Sequence, residues 1–141
     1  MSWQPYIDSN LIGTGKIAHA GIYGLDGGVW AISPNFPATR EEVLDIVKGF
    51  SETSDLPSKG LRIGGTKFMV SRVEDTFVFS KYRVPSEENQ TANNNPLKLD
   101  TIMCAKANKC IIIAGTIDTV TPASARPIVE NLRDYLVSVG Y

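Results

Sequence analysis

Histidine and cysteine are nearly absent: the 141 residues hold one histidine, His19, and two cysteines, Cys104 and Cys110. Acid–base or nucleophilic catalysis near neutral pH needs a tuned histidine, a carboxylate pair or a nucleophile beside a base, and no such constellation is spelled here. His19 stands between Ala18 and Ala20 in an alternating pattern, which predicts a solvent-facing or hydrogen-bonded structural side chain on a strand. Two thiols without CxxC or His/Cys spacing make neither a disulfide framework nor a zinc cradle. Both are read as reduced thiols in strands, and no metal, cofactor or enzymatic activity is expected. An excess of one charge is missing as well. The net charge of −1 and sequence pI of 5.8 supply no broad field for nucleic acid. No run approaches the about 20 apolar residues of a membrane span. Met1-Ser2-Trp3-Gln4 opens without a basic stretch followed by an apolar one, so the cytosol is the expected location.

Several short motifs fail on their spacing. Gly13-Thr14-Gly15-Lys16 lacks the four residues between glycines, and the Ser or Thr after lysine, that a phosphate loop requires. It also follows a helix and precedes a strand, the reverse of the order in which a helix N-terminus meets a pyrophosphate. Asn89-Gln90-Thr91 and Glu87-Glu88 read as parts of a polar, solvated loop.

What is present is a sequence of well-marked local elements. Trp3, Tyr6, Ile7, Asn10 and Leu11 recur at helical spacing, with Ser2 as N-cap and Pro5 in the first turn, which predicts a short helix ending near Gly13. Lys16 to Leu25 and Val29 to Ser33 are apolar runs around Asp26-Gly27-Gly28, a hairpin signal. Thr39-Arg40-Glu41-Glu42 is a capping box ahead of a helix whose apolar face is Val43, Leu44, Ile46, Val47 and Phe50. Leu61 to Ile63, Lys67 to Val73 and Phe77 to Tyr82 read as strands of a meander of antiparallel hairpins, and Asp100 to Ala105 and Lys109 to Thr116 as two more strands around a tight Lys106-Ala107-Asn108 turn. Thr121 and Pro122 open a last helix with Ala125, Ile128, Val129, Leu132, Tyr135, Leu136 and Val139 in phase. Residues 83–96, rich in Ser, Glu, Asn, Gln and Thr, are expected to be a mobile polar loop. Helices flanking a run of hairpins predict an α+β fold, one domain over residues 1–141.

The aromatic residues carry the functional signal. Trp3 and Tyr6 fall on the first helix, Trp30 on an early strand, and Tyr135 and Tyr141 at the C-terminal end. An aromatic stripe is more often core than site, but a short terminal helix has few neighbours with which to bury a tryptophan and a tyrosine on adjacent turns. With the two termini packed side by side, these rings form a groove for a polyproline II helix, which is rigid beforehand and leaves its carbonyls free to accept from indole and phenol donors.

Ser2-Trp3-Gln4-x-Tyr6-x-Asp8-x-Asn10-Leu11-Ile12-Gly13-Thr14-Gly15 closely resembles the start of profilins. Ile128-Val129-Glu130-x-Leu132-x-Asp134-Tyr135-Leu136 with Gly140-Tyr141 is similar to their last helix, and Gly60-Leu61-x-Ile63-x-Gly65-x-Lys67-Phe68-Met69 to the middle of fungal and amoeboid members. The resemblance implies a central antiparallel sheet with the N- and C-terminal helices packed on one face and shorter helices on the other. It implies a site for proline-rich proteins such as formins at Trp3, Tyr6, Trp30, Tyr135 and Tyr141. It also implies a surface for monomeric actin, placed here at Lys67, Arg72, Lys81, Arg126 and Glu130, and binding of phosphoinositide head groups through basic residues, at a cytoplasmic, cytoskeletal location. In the middle third, Lys59, Arg62, Lys67, Arg72, Lys81 and Arg83 outnumber Glu74 and Asp75, enough for a local positive patch. Residues 83–96 are longer than the matching turn in typical fungal profilins and fall beside the expected actin surface. A second reading therefore stays open: a peptide- or phosphoinositide-binding adaptor of the same fold with weak or no actin binding.

Overall fold

In the computed structural model, which describes residues 3–33, 36, 38–51, 60–64, 66–74, 76–82, 99–117 and 119–141, the local signals become seven described strands and two regular helices. They are β1 (His19–Gly24), β2 (Val29–Ile32), α1 (Arg40–Ser51), β3 (Leu61–Ile63), β4 (Thr66–Val73), β5 (Phe77–Tyr82), β6 (Thr101–Lys106), β7 (Cys110–Thr116) and α2 (Pro122–Ser138). The expected polar loop at residues 83–96 lies outside the described residues, as do Lys59, Arg83 and Asp75 of the basic stretch.

The N-terminal segment is helical but not a plain α-helix: Tyr6–Leu11 is a wide π-type turn and Ile12–Thr14 a 3-10 turn. It runs slightly beyond the predicted end at Gly13 because the stop signal is Gly15, left-handed at φ 78°, whose N–H donates to the Ile12 carbonyl at 3.0 Å. Thr14 Oγ1 donates to the Leu11 carbonyl at 2.7 Å. The Gly13-Thr14-Gly15-Lys16 run is thus a helix terminus, which glycine makes at no steric cost. In the first hairpin, Asp26 Oδ1 accepts from the Gly28 N–H at 2.9 Å while Gly27 sits at φ 87°, the side-chain turn that Asp-Gly chemistry favours.

The sheet is antiparallel throughout, in the order β2-β1-β7-β6-β5-β4-β3. Pairing of strands adjacent in sequence builds the first hairpin and the β3-to-β7 meander, with turn signals at the β3–β4, β4–β5 and β6–β7 connections; the β1–β7 ladder joins the two. Strand alternation sends Ile112, Ala114, Met103, Ala105, Ala20 and Ile22 to one face. There they are covered by Ile7 and Leu11 of the N-terminal segment and by Ala125, Val129, Leu132 and Leu136 of α2. Ile111, Ile113, Ile102, Cys104 and Tyr23 point to the other face, under Val43, Ile46 and Phe50 of α1. Both terminal helical elements therefore lie on one face and α1 on the opposite one. The two cysteines are free and buried, Cys110 on the first face and Cys104 on the second. Burial pushes the Cys110 thiol up to about 11 and that of Cys104 further, so neither is an available nucleophile.

The capping box forms as spelled: Thr39 N–H donates to Glu42 Oε1 at 2.9 Å, and Glu42 N–H to Thr39 Oγ1 at 3.2 Å. Glu42 Oε1 also accepts from the Gly64 N–H at 2.7 Å, fastening α1 to the β3–β4 turn. Thr121 does not repeat this at α2. It occupies the N-cap position but makes no side-chain capping bond, and its backbone carbonyl instead accepts from the Ser124 N–H and hydroxyl. Pro122 at the first helical position leaves one amide fewer to cap.

The N-terminal half of α2 is tied to the sheet by charge. Arg126 Nη2 donates to Glu74 Oε1 at 2.6 Å and Arg126 Nε to Glu130 Oε1 at 2.8 Å, while Arg72 pairs with the other Glu74 oxygen at 3.0 Å. The Arg126 guanidinium also lies 4.6 Å from the Phe77 ring centroid and 5.3 Å from that of Phe79, a stacking that arginine's planar group allows. The hydrogen bond from Arg126 holds the Glu74 carboxyl below its ordinary value of 4.5.

Thr39→Ala is expected to cost about 1 kcal/mol in urea unfolding, and Glu42→Ala more, because it leaves two amides without their acceptor. Because the Glu74 pKa is depressed in the fold, its stabilisation is complete above the unfolded carboxylate value and is lost as pH falls through the folded one. Melting temperatures recorded downward from pH 7 should therefore drop more steeply below about pH 4.5 in the wild type than in Glu74→Gln.

Candidate functional site

Three separate stretches of backbone bring the five sequence-predicted rings into one strip. Trp3 and Tyr6 come from the N-terminal segment, Trp30 from β2, and Tyr135 and Tyr141 from the end of α2. The ring centroids of Tyr135 and Tyr6 are 6.0 Å apart, Tyr6 and Trp3 5.7 Å, and Trp3 and Trp30 4.7 Å, with Tyr141 edge-on at 4.7 Å from Trp3 and 5.9 Å from Trp30. These are the offset and edge-to-face separations that aromatic quadrupoles prefer. Trp3, Tyr6, Trp30 and Tyr141 pack one side onto the core that α2 covers and keep part of their surface open, while Tyr135 is 48% exposed. Val139, the C-cap residue one turn beyond Tyr135, is also exposed, so the apolar stripe that runs along α2 is wider than the part it buries. The question of core or surface is answered residue by residue: each ring does some of both.

Tyr6 and Tyr135 meet through their phenols. The hydrogen bond with Tyr135 is the main reason that the Tyr6 pKa stands above its ordinary value of 10.0, with partial desolvation adding to it. The Tyr6 phenol is therefore a neutral donor near pH 7. Two contributors to the strip were not legible from composition or periodicity. Gly24 leaves room for the Trp30 indole, since a Cβ there would stand 3.0 Å from Trp30 Nε1 and 2.8 Å from Asp26 Oδ1. Gln4 spans from the first turn to β2, its Nε2 donating to the Ile32 carbonyl at 3.0 Å. A glycine in a strand does signal close approach in general, but what approaches it is a tertiary fact.

The residues placed on a second surface do not all come together in one state. Lys81 follows Phe77 and Phe79 in alternation, and its partner across the ladder is Met69; Lys67 is two residues from Met69 and opposite Arg62. Arg62, Lys67, Met69 and Lys81 are all exposed and share the face of the sheet on which α2 lies, beyond the helix itself. Arg72, shifted by the bulge between Val70 and Arg72 to stand opposite Phe79, joins that face but is ion-paired to Glu74. Arg126 and Glu130 are likewise paired, at the border between α2 and β5. The outcome is a cationic apron of Arg62, Lys67 and Lys81 around Met69, edged by a four-residue ionic chain.

His19 is half-buried on β1 opposite Gly115, and its Nδ1 has no hydrogen-bond partner among the described residues, so the expected solvent-facing or hydrogen-bonded role is not what is found at that atom. No group of three or more His, Cys, Asp or Glu side chains suited to a metal occurs among the described residues, and no described helix is long and apolar enough to cross a membrane.

The whole chain matches known proteins. The sequence profile named Profilin covers residues 1–141. Profilin of Saccharomyces cerevisiae is 37% identical over 142 residues, spanning 100% of both chains. Among solved structures, Acanthamoeba castellanii profilin II superimposes with a TM-score of 0.84 at 29% identity, over 99% of this chain and 100% of that one. Mouse profilin IIa, solved in complex with a double repeat from the FH1 domain of mDia1, shares the fold with a TM-score of 0.76 at 19% identity over 100% of both chains. A full-length profile match, full-length relatives above 30% identity and the antiparallel sheet with both terminal helices on one face lead to one conclusion: this chain belongs to the profilin family.

Proposed function

We propose that this protein binds monomeric actin on one surface and proline-rich segments on another, regulating polymerisation and monomer delivery to filament ends in the cytoplasm. The observation that carries the second half is the continuous strip Tyr135, Tyr6, Trp3, Trp30 and Tyr141. A polyproline II helix has three residues per turn and a rise of about 3.1 Å, so its flat proline faces recur about every 9 Å along a row of rings whose neighbouring centroids are 4.7–6.0 Å apart. The open edges of the rings take those faces by apolar contact. Indole N–H and phenol O–H groups then donate to backbone carbonyls that proline leaves unpaired. The mouse relative's FH1 complex concerns that protein; here the support is the aromatic geometry itself.

The actin surface we assign to Lys67, Arg72, Lys81, Arg126 and Glu130 rests on their common face and on the apolar Met69 among the cations. Such a mix, with charge for orientation and an apolar centre for affinity, is that of a reversible protein interface. The same cations suit the phosphates of phosphoinositide head groups. Residues 83–96 follow β5 directly in sequence and are proposed to modulate the actin surface. Since Arg126 and Tyr135 are nine residues apart on α2, about 13 Å along its axis, the two surfaces are separate enough to be occupied together.

Trp3→Ala and Tyr135→Ala are each expected to weaken polyproline binding, followed by tryptophan fluorescence, by about 2 kcal/mol, roughly thirtyfold. Unchanged affinity in both variants removes the groove. In a pyrene-actin assay the wild type should suppress spontaneous nucleation at stoichiometric ratios, and Lys67→Glu combined with Lys81→Glu should relieve that suppression without altering polyproline affinity. Wild type that binds polyproline but leaves nucleation untouched would leave the adaptor reading in place of this one.

A further inference from the structure

The five rings belong to three chain segments, and the ways in which those segments are held differ. The C-terminal rings are fastened by backbone and by arginine: the Tyr141 N–H donates to the Leu136 carbonyl at 2.8 Å, the Lys109 N–H to the Tyr141 carbonyl, and Arg133 Nε to the Lys106 carbonyl at 2.9 Å. Among the described residues the N-terminal segment has no comparable backbone set; Tyr6 meets α2 through its phenol bond with Tyr135, which leaves its placement against β2 to other contacts. Pro5 offers no N–H, no side chain among the described residues caps the first turn, the expected N-cap Ser2 lying outside them, and the bond from the Tyr6 N–H to the Trp3 carbonyl at 3.1 Å is internal to the segment. Among the described residues, the hydrogen bond that leaves this segment for β2 is the one from Gln4 Nε2 to the Ile32 carbonyl at 3.0 Å.

We propose that Gln4 is a positioning residue that fixes Trp3 and Tyr6 against Trp30, so that the strip is already assembled before a ligand arrives; the consequence for binding rests on the proline-rich reading above. The second N–H of the same amide donates to Asp8 Oδ1 at 3.1 Å. Both partners are acceptors only, a carboxylate and a carbonyl, so the amino end of the glutamine must face them, and both of its donors are used. The side chain is thus a strut with two fixed ends. One lies within the segment that carries Trp3 and Tyr6, the other two residues beyond Trp30 on β2. The ring pair it registers, Trp3 and Trp30, has centroids 4.7 Å apart and planes at 35°. Ile7 and Leu11 anchor the segment to the core at full burial, so the fold does not depend on the strut. What depends on it is the registration of rings at an exposed edge, and a site assembled beforehand binds better because less is ordered on binding.

The test uses the full chain and isosteric exchange. Gln4→Glu replaces both donors by a carboxylate facing Asp8 and the Ile32 carbonyl; Gln4→Met removes them without adding charge. Read without any peptide, the exciton couplet of the Trp3–Trp30 pair in circular dichroism is expected to shrink in both variants, with the melting temperature within about 4 °C of wild type. Polyproline affinity should fall about fivefold, the size of one lost hydrogen bond. Combining Gln4→Glu with Asp8→Asn restores a bond within the segment but not the one to β2, so couplet and affinity are expected to stay low. Recovery to wild-type values in that double variant overturns the proposal in favour of a helix-internal role, as does a wild-type couplet in Gln4→Met. Should Gln4→Glu fail to fold, Gln4→Met decides alone. A couplet that collapses as expected in a protein that does not bind polyproline at all upholds the strut and removes the peptide site instead.

Discussion

The pairing of β1 with β7 is the constraint on which the rest of the molecule depends. Six residue pairs, from His19 opposite Gly115 to Gly24 opposite Cys110, join a hairpin near the start of the chain to a meander that ends near its finish. Closing a loop of that length costs entropy, which grows only slowly with chain length. In return β7 becomes an interior strand, its residues 110–116 buried. With that ladder in place, β2 lies one strand from β7, and Trp30 is carried to the side of the sheet on which α2 runs. Without it the first hairpin would have no neighbour, and a lone two-stranded hairpin is barely stable in water.

Burial on both faces of the central strands explains their composition. Ile111, Ile112 and Ile113 read as one continuous apolar run because alternate members serve two different cores. Small residues stand where covering side chains come closest: a Cβ on Gly21 would lie 2.5 Å from the Tyr23 ring. The aromatic strip is the margin of the core under α2 rather than a feature added to it. Its rings complete that core with one side and face outward with the other, so the strip is held in place for the same reason that the core is packed.

Helix α2 carries residues of both proposed surfaces and is fastened separately at each end. Near its start, Arg126 stacks on Phe77 and Phe79 and holds Glu74 and Glu130; near its finish, Arg133 and the Tyr141 carbonyl engage the β6–β7 turn. A partner at one end has little rigid-body freedom to transmit to the other. Partly exposed ion pairs contribute modestly on their own, but Glu74 bridges two arginines from different elements, which makes its geometry harder to replace than that of an isolated pair.

Local chemistry alone was enough for the elements: the capping box at Thr39 and Glu42, the Asp26-Gly27-Gly28 turn, the strands between glycines and the phase of α2 all depend on neighbours a few residues away. The candidate aromatic strip was legible in part for the same reason, since rings on short terminal segments have few neighbours with which to be buried. Periodicity could not tell that Tyr135 and Val139 lie outside the buried stripe, that Thr121 caps through its backbone, that the bulge at β4 turns Arg72 towards Phe79, or that Arg72 and Arg126 are already spent on Glu74. Those outcomes, with the room that Gly24 leaves for Trp30 and the reach of Gln4 to Ile32, come from contacts between residues far apart in the chain. Residue type and spacing determine what each segment can form and which chemistry it carries. Which side chains meet, and which stay open to a partner, was decided only when β1 found β7 and brought the two ends of the polypeptide onto one face.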